Sequence, residues 1–185
     1  PDIAPKLAGL VVPEKQESEK LNAYVIAYNK LLQWHDFGHI LADYRRSNPK
    51  INAKGNPPLD RYSASGNDVD APLQAFERAM AISESLPELD EVAKSLNAAL
   101  ETVNPLLKEA DTYEKTKEYL SDKGVKARAM DDRFVAALIA AGKATSTFGT
   151  ALSQQTLKRD EAELASLTPG TVRFHKLRVS LQVRK

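Results

Sequence analysis

The fold of this chain is decided by residues 89–120, LDEVAKSLNAALETVNPLLKEADTYEKTKEYL. Residues that recur three and four positions apart lie on one stripe of a long helix. When they are apolar, this stripe must be buried against other helices. The apolar or small residues with this spacing are Leu89, Val92, Leu96, Ala99, Val103, Leu106, Ala110, Tyr113 and, after a break at Lys117, Leu120. The pattern predicts a helix over about 88–121, bent at Pro105 because proline removes one hydrogen bond of the helical ladder.

Composition limits the classes of protein to which the chain can belong. Its 185 residues suffice for one domain with a sizeable core, and a formal net charge of +1 gives no global field that would attract nucleic acid. There is no cysteine, so these residues offer no disulfide, thiolate nucleophile or cysteine-bound zinc. No apolar run approaches the ~20 residues that span a bilayer. The chain starts at Pro1 without a signal-like segment, and we expect any targeting sequence to be missing already.

The N-terminal part predicts a tether and then a long helix. Residues 1–16 hold three prolines and predict an extended leader or tether before a single helical domain over 17–185. The first helix should begin near Ser18, whose hydroxyl can cap it, and run to about Arg46, where an Asn-Pro pair ends it. Its apolar side chains change face: Leu21, Tyr24, Val25, Tyr28, Leu31 and Leu32 share one side, and Trp34, Phe37, Ile40, Leu41 and Tyr44 the opposite one.

The middle of the chain predicts a loop and two more helices. The loop at about 47–70 is rich in proline and glycine; we expect a connector, with a functional loop as the alternative. A helix begins at Asp70 with Pro72 in its first turn. A third long helix covers about 125–166 and should lie in the middle of the bundle, because small side chains let neighbouring backbones approach. Its small residues are Ala136, Ala137, Ala140, Ala141, Gly142, Ala144, Ser146, Gly149 and Ala151.

The tail is ambiguous, since it alternates like a strand but finds no partner strand in the sequence. Thr168 and Pro169 suit the cap and first turn of a last helix, and a helix is favoured. Together these elements predict an all-α fold, an elongated bundle of about four long, mostly antiparallel helices.

Two histidines form the one arrangement that resembles a metal site. His35 and His39 are four residues apart, so on a continuous helix both would project from one face and could bind one zinc ion. Asp43 or the distant His175 could supply a third ligand. Asp36 stands where zinc proteases carry a glutamate base, and its shorter side chain puts its reach to a metal-bound water in doubt. The alternative is that these polar groups simply face water.

Two further groups have a functional and a plain interpretation. Tyr113, Lys117 and Tyr119 could line a ligand site, but tyrosines at the end of a bundle usually bury their rings and hydrate their hydroxyls. Residues 171–185 carry five basic side chains and no acid, which could touch anionic lipid or nucleic acid. We favour a solvated face because the whole chain is nearly neutral. No phosphate-binding loop or serine nucleophile elbow occurs, and no cofactor is predicted.

Several short segments resemble the YiiG-like bacterial lipoproteins, a family defined as a domain of unknown function. They are Leu21-Asn22-Ala23-Tyr24-Val25 with Tyr28-Asn29, Leu106-Leu107-Lys108-Glu109-Ala110 with Tyr113, Lys117-Glu118-Tyr119 with Asp122-Lys123, Lys126-Ala127-Arg128-Ala129, Phe134-Val135-Ala136-Ala137 and Arg173-Phe174-His175. The resemblance implies a secreted, mostly helical bacterial protein, lipid-anchored in the periplasm or at the outer membrane. The signal and lipid-bearing cysteine of that family do not occur in these residues, and the family carries over no activity or site.

We therefore expect a non-enzymatic helical domain of the cell envelope that binds another envelope protein or a cell-wall component. No nucleic-acid partner is expected, and membrane contact is expected only through a lipid anchor that these residues do not include. Two alternatives stay open. One is a metal-binding protein or metal-dependent hydrolase that uses His35 and His39, and the other is a small-ligand-binding bundle with a pocket where the first helix switches faces.

Overall fold

The computed structural model describes residues 12–33, 35–64, 66 and 68–183, with side chains from Glu19 onward. Every regular element in this part of the chain is helical, which confirms the predicted all-α bundle. The helices are α1 Val12–Leu32, α2 Phe37–Ser47, α3 Asp70–Met80, α4 Pro87–Thr116, α5 Glu118–Ser121, α6 Val125–Ser166 and α7 Val172–Val183. The bundle consists of α3, α4, α6 and the consecutive pair α1 and α2, and α7 packs on α6.

Helices α4 and α6 form the central antiparallel pair. The start of α4 lies beside the far half of α6, where Glu88 Oε2 is 3.0 Å from Lys158 Nζ. The later turns of α4 lie beside the start of α6, where Glu109 Oε1 is 3.8 Å from Lys126 Nζ. Buried apolar positions of α4 recur three and four residues apart, as predicted: Leu89, Ala93, Leu96, Leu100, Val103, Leu107, Ala110 and Tyr113.

The predicted helix over 88–121 is interrupted before its end. Lys117 has a left-handed backbone with a φ of 54°, which ends α4 at Thr116 and leaves α5 as one separate turn. Leu120, predicted to lie on the buried stripe, is 54% exposed as a consequence. Three other predicted stripe residues are only half-buried and lie at its edge: Val92, Ala99 and Leu106.

Small side chains along α6 let the neighbouring helices approach it closely, and its bounds agree with the predicted 125–166. Gly142 faces α2, where an added Cβ would lie 3.5 Å from the Cβ of Phe37. Gly149 faces α1, and an added Cβ there would collide with the Tyr28 ring. Among the described residues, α6 is also the one helix long and apolar enough to cross a membrane, a property it shares with core helices of bundles that stay in water.

The first helix is broken, so the prediction of one helix over 18–46 is wrong. Helix α1 ends at Leu32 and α2 begins at Phe37. Asp36 caps α2, because its carboxylate accepts a hydrogen bond from the amide of His39 at 3.0 Å. Each segment therefore buries a face of its own, which accounts for the change of face in the sequence.

The loop over 48–69 is packed against the bundle, which corrects the expectation of a plain connector. Asn48 Nδ2 donates to the carbonyl oxygens of Tyr44 at 2.8 Å and Ser63 at 2.6 Å, and Asn48 Oδ1 accepts from the Ser63 amide at 3.0 Å. Arg128 of α6 donates to the carbonyl oxygen of Ile51 at 3.2 Å. Apolar side chains of the loop are buried: Ile51, Leu59, Tyr62, Ala64 and Val69.

The outer helices begin a few residues away from the predicted positions. Helix α1 begins at Val12 rather than near Ser18, so 12–16 of the predicted 1–16 leader are helical, and 1–11 lie outside the described residues. The tail is helical, as favoured, but α7 begins at Val172 rather than near Thr168. The division into a leader and one domain stays a prediction.

A buried ion pair holds α1 to the start of α4. Lys20 Nζ lies 3.0 Å from Asp90 Oδ1 and donates to the Glu84 carbonyl oxygen at 2.6 Å. Asp90 also accepts from the Tyr24 hydroxyl at 2.6 Å and from the Leu86 amide at 3.0 Å. Burial raises the pKa of the Asp90 carboxyl, but these hydrogen bonds outweigh burial and hold the pKa below its usual value.

Replacing this carboxylate with an amide, Asp90→Asn, should lower the free energy of unfolding by about 3 kcal/mol at neutral pH, because the Lys20 ammonium stays buried without its counter-ion. The folded-state pKa of Asp90 is depressed, so its stabilisation is present above the usual aspartate pKa and is lost as pH falls through the folded-state value. Urea unfolding at neutral and at acid pH measures both effects. A gap between variant and wild type that stays constant in acid would contradict this account.

The matched control is Asp111→Asn. Asp111 pairs with Lys115 on the exposed face of α4, so its loss should change the free energy of unfolding by about 0.5 kcal/mol or less.

Candidate functional site

A groove between α2, the 48–69 loop and α6 combines buried polar groups with an apolar wall, and we call it the Asp131 groove. It has a volume of about 460 Å³. One end carries carboxylates and amides, and the other carries aliphatic side chains. The residues that line it are Tyr44, Arg45, Asn48, Pro49, Ile51, Asn52, Asp131, Asp132, Val135, Ala136 and Ile139.

Asp131 is the most deeply placed acid of the groove and is 6% exposed. Its Oδ1 accepts a hydrogen bond from the Tyr44 hydroxyl at 2.8 Å, and its Oδ2 accepts one from Asn52 Nδ2 at 3.0 Å. Helix α2, the loop and α6 therefore meet at one carboxylate. Both of these donors are neutral, and each carboxylate oxygen can accept a further hydrogen bond. A bound group with N–H or O–H donors would find an acceptor there.

The rim of the groove adds charges of both signs, from Asp132 on α6 and Arg45 on α2. Val135 and Ile139, one turn apart on α6, provide the apolar wall, and Ile139 is 51% exposed. Such a mixed surface is typical of a binding site, in which a few polar groups orient the occupant and apolar side chains supply contact area.

Tyrosine rings pack against the buried end of the groove. The Tyr62 ring from the loop lies between Tyr44, at 6.1 Å between ring centroids, and Tyr113, at 4.9 Å. Burial raises the pKa of both Tyr44 and Tyr62, so their hydroxyls stay protonated at physiological pH. Tyr44 is therefore a permanent donor to Asp131. The Tyr62 hydroxyl is buried beside that of Tyr44 and lacks a well-aligned partner among the described residues.

The polar-aromatic group at the end of α4 serves the fold. The Tyr113 hydroxyl, expected to be hydrated, donates to Asp122 at 2.8 Å instead. Asp122 also accepts from the Lys126 amide at 3.0 Å and so caps the start of α6. Tyr119 packs its ring 6.1 Å from that of Tyr113, while Lys117 is exposed at the helix break. The group therefore joins α4 to α6 at this end of the bundle.

The two histidines of the predicted metal site lie in different surroundings. His35 precedes α2 and is buried, with Nδ1 3.3 Å from the Leu31 carbonyl oxygen and Nε2 3.1 Å from that of Asp68. His39 is exposed in the first turn of α2, and its Nε2 is 3.2 Å from Asp43 Oδ2. The expectation that both project from one face of a continuous helix is wrong, because the helix is interrupted between them.

The third ligands suggested for the histidines have other contacts. Asp43 forms an ion pair with Arg46 beside His39. His175 packs against Phe174 on α7, a helix that contacts α6 alone among the described helices. Across the described ranges, no group of three or more histidines and carboxylates is arranged to hold a metal ion. Zinc binding at His35 and His39 stays a prediction.

If His35 and His39 bind zinc, protein purified without chelator should contain about one zinc ion per chain, and His39→Ala should remove it. Elemental analysis of wild type and variant measures the content. Lys30→Ala at an exposed position of α1 is the control and should leave the content unchanged. A content well below one per chain, equal in wild type and His39→Ala, rejects the hypothesis.

Sequence reasoning missed the contact of Tyr44, Asp131 and Asn52. Asp131 lies between Ala127 and Phe134 on the buried face of α6, and an acid at an apolar position of such a stripe is the signal that could have found it. Asn52 gives no comparable signal, since it lies in a loop whose course no periodicity describes.

The fold and the groove define a class of protein, an all-α bundle domain with a mixed polar and apolar surface groove. A family model described as "Protein of unknown function (DUF3829)" matches residues 15–181. The chain belongs to this uncharacterised domain family. No curated protein and no solved structure gives a match.

Removing one hydroxyl, with Tyr44→Phe, should lower the free energy of unfolding by about 1–3 kcal/mol, because Asp131 Oδ1 loses the donor with which it forms a buried hydrogen bond. Urea unfolding measures the loss. Tyr119→Phe is the matched control, since the Tyr119 side chain is half-buried and its ring contacts survive the change. Equal losses in the two variants would show that the Tyr44 hydroxyl does not hold α2 to α6.

Proposed function

We propose that this chain is a non-enzymatic binding domain of the bacterial cell envelope, and that the Asp131 groove holds another envelope protein or a cell-wall component. The observation that carries the proposal is the groove itself, a buried carboxylate with neutral donors beside an exposed aliphatic wall. Placement in the periplasm or at the outer membrane, with a lipid anchor in the full-length form, rests on the resemblance to the YiiG-like lipoproteins.

We base the proposal that the domain is not catalytic on the contacts that its buried charged side chains make. Lys20 pairs with Asp90, Asp131 accepts from neutral donors, and Asp160 accepts from Arg159 at 2.8 Å. A catalytic centre needs a nucleophile or base and a charge-stabilising group that converge on one point. The groove lining offers carboxylates, amides, aliphatic carbons, the Tyr44 hydroxyl and the Arg45 guanidinium. Tyr44 already donates to Asp131, and the described lining includes no serine, histidine or lysine, which favours binding over bond breaking.

The occupant should bring hydrogen-bond donors to Asp131 and apolar atoms to the wall formed by Val135 and Ile139. Envelope proteins and the peptides of the cell wall both carry N–H donors next to aliphatic groups. The groove therefore suits either class, and the discriminating measurement is chemical capture of the partner.

A photo-crosslinking residue placed at Ile139 should capture one discrete partner in envelope preparations, because this position is exposed on the apolar wall. The same residue at Ile26 on α1 is the matched control, since Ile26 is 66% exposed and does not line the groove. Adding Asp132→Lys to the Ile139 variant should weaken capture about tenfold, as expected when one charge at a contact is reversed.

Equal capture from positions 26 and 139, or capture indifferent to Asp132→Lys, would remove the groove from the proposal. If position 139 captures no partner and the purified wild type turns over a substrate, an enzymatic function replaces the proposed binding function.

The alternative of a small-ligand-binding bundle expects a pocket at the break between α1 and α2. A second groove elsewhere on the bundle supports this alternative better. The level of the break is filled by buried side chains, among them Leu31 and Phe37. The second groove lies between α1 and α6, has a volume of about 560 Å³ and has a largely apolar lining that includes Tyr28 and Leu157. A fluorescent apolar probe should gain emission when it binds there, and Leu157→Asp should abolish that gain.

A further inference from the structure

Helix α7 has two apolar faces on opposite sides. In a helix with about 3.6 residues per turn, its apolar side chains separate into two groups half a turn apart. The inner group packs toward α6, with Leu181 buried and the others half-buried: Phe174, Leu177 and Leu181. The outer group points away from α6: Val172, Val179 and Val183.

The outer face is open along the whole helix. Val172 is 72% exposed, Val179 59% and Val183 83%, and among the described helices α7 contacts α6 alone. A single exposed valine is ordinary, but three on one stripe of one short helix form a continuous apolar row. Lys176 lies within the same row and is exposed.

The charge around this row is mainly positive, with one acid of α6, Glu163, near Val172 and Lys176. Residues 171–185 contain five basic side chains and no acid, in a chain whose formal net charge is only +1. Within α7 the basic residues are Arg173, Lys176 and Arg178. Arg173 is partly neutralised by Glu163 of α6, at 2.7 Å between Nη2 and Oε1. Lys176 within the outer face and Arg178 on one flank of the helix leave α7 cationic.

This combination selects one class of occupant. A second copy that paired its α7 with this one would place cations against cations. Single-stranded nucleic acid is bound through stacked aromatic side chains, and the row consists of valines and one lysine. An anionic bilayer surface satisfies both features, because phosphates attract the basic side chains and the acyl boundary accepts the apolar row. Lys176 can extend its stem along the valines and place its ammonium among the headgroups.

We propose that α7 is a peripheral membrane contact, which lies in the headgroup region of a bilayer that contains anionic phospholipid. Val172, Val179 and Val183 face the acyl chains, and Lys176 and Arg178 contact the lipid phosphates. This contact uses the protein's own surface, so it does not require a covalent lipid, and it is independent of the Asp131 groove.

Co-sedimentation of the full chain with vesicles tests the proposal. The chain should bind vesicles of equal parts phosphatidylcholine and phosphatidylglycerol, should not bind phosphatidylcholine alone, and should be released by high salt. Lys176→Glu/Arg178→Glu should weaken vesicle binding about tenfold or more, since each basic side chain near an anionic surface adds to the attraction. The matched control Lys30→Glu/Lys94→Glu makes the same change in net charge at exposed positions of α1 and α4 and should bind like wild type.

A second variant tests the apolar row. Val179→Gln/Val183→Gln alters only exposed side chains, so it should keep the wild-type circular dichroism while losing most of the binding. Binding that needs the charges but not the valines would indicate adsorption of a polyanion in general and overturn the proposal. Failure of the wild type to bind anionic vesicles, or a dimer in light scattering that the valine variant dissociates, would overturn it as well.

Discussion

The close approach of other helices to α6 is the constraint on which the rest of the structure depends. Gly149 removes the side chain that would hold α1 away, and Gly142 lies within van der Waals range of Phe37 on α2. Helix α6, with its 42 residues, is longer than α4 with 30, so it extends past the start of α4. The overhanging turns give α7 its support, where Glu163 pairs with Arg173. A larger side chain at position 149 would displace Tyr28, and with it the ring packing around Phe148.

Buried polar contacts fix the position of each helix along its neighbours, which apolar packing alone does not determine. The pair of Lys20 and Asp90 joins α1 to α4 at one end, and the bond from Tyr113 to Asp122 joins α4 to α6 at the other. Asp131 lies between these levels and joins α2 and the loop to α6. Burying such groups contributes little net stability, but breaking one leaves an unpaired group in the interior. A helical bundle with small interface residues could slide by one turn, and these contacts oppose that shift.

The sequence predicts well those helices whose apolar residues follow one regular spacing. Helix α6 matches its predicted span, and α3 begins at Asp70 as expected, because amphipathic spacing and a proline in the first turn are local signals. The break between α1 and α2 escaped prediction because apolar residues continue on both sides of it, although Asp36 is a favoured N-cap residue and Gly38 a weak helix former. The packed loop escaped because Asn48 and Arg128 hold it through contacts distant in sequence. The Asp131 groove is built from three such segments, so no local pattern contains it.

The two surfaces proposed for binding lie on different helices, the Asp131 groove beside the first turns of α6 and the valine row on α7. Asp131 and the end of α6 at Ser166 are separated by roughly 50 Å along its axis, at a rise of about 1.5 Å per residue. Helix α7 follows that end and turns back onto α6, where Arg173 pairs with Glu163, so its valines lie beside the far half of α6 and away from the groove. Helix α6 is unbroken over this distance and contacts α4, α2 and α1 along it. The groove lining and α7 share no residue, so a substitution in one changes no side chain of the other, and the two proposed contacts can be removed one at a time.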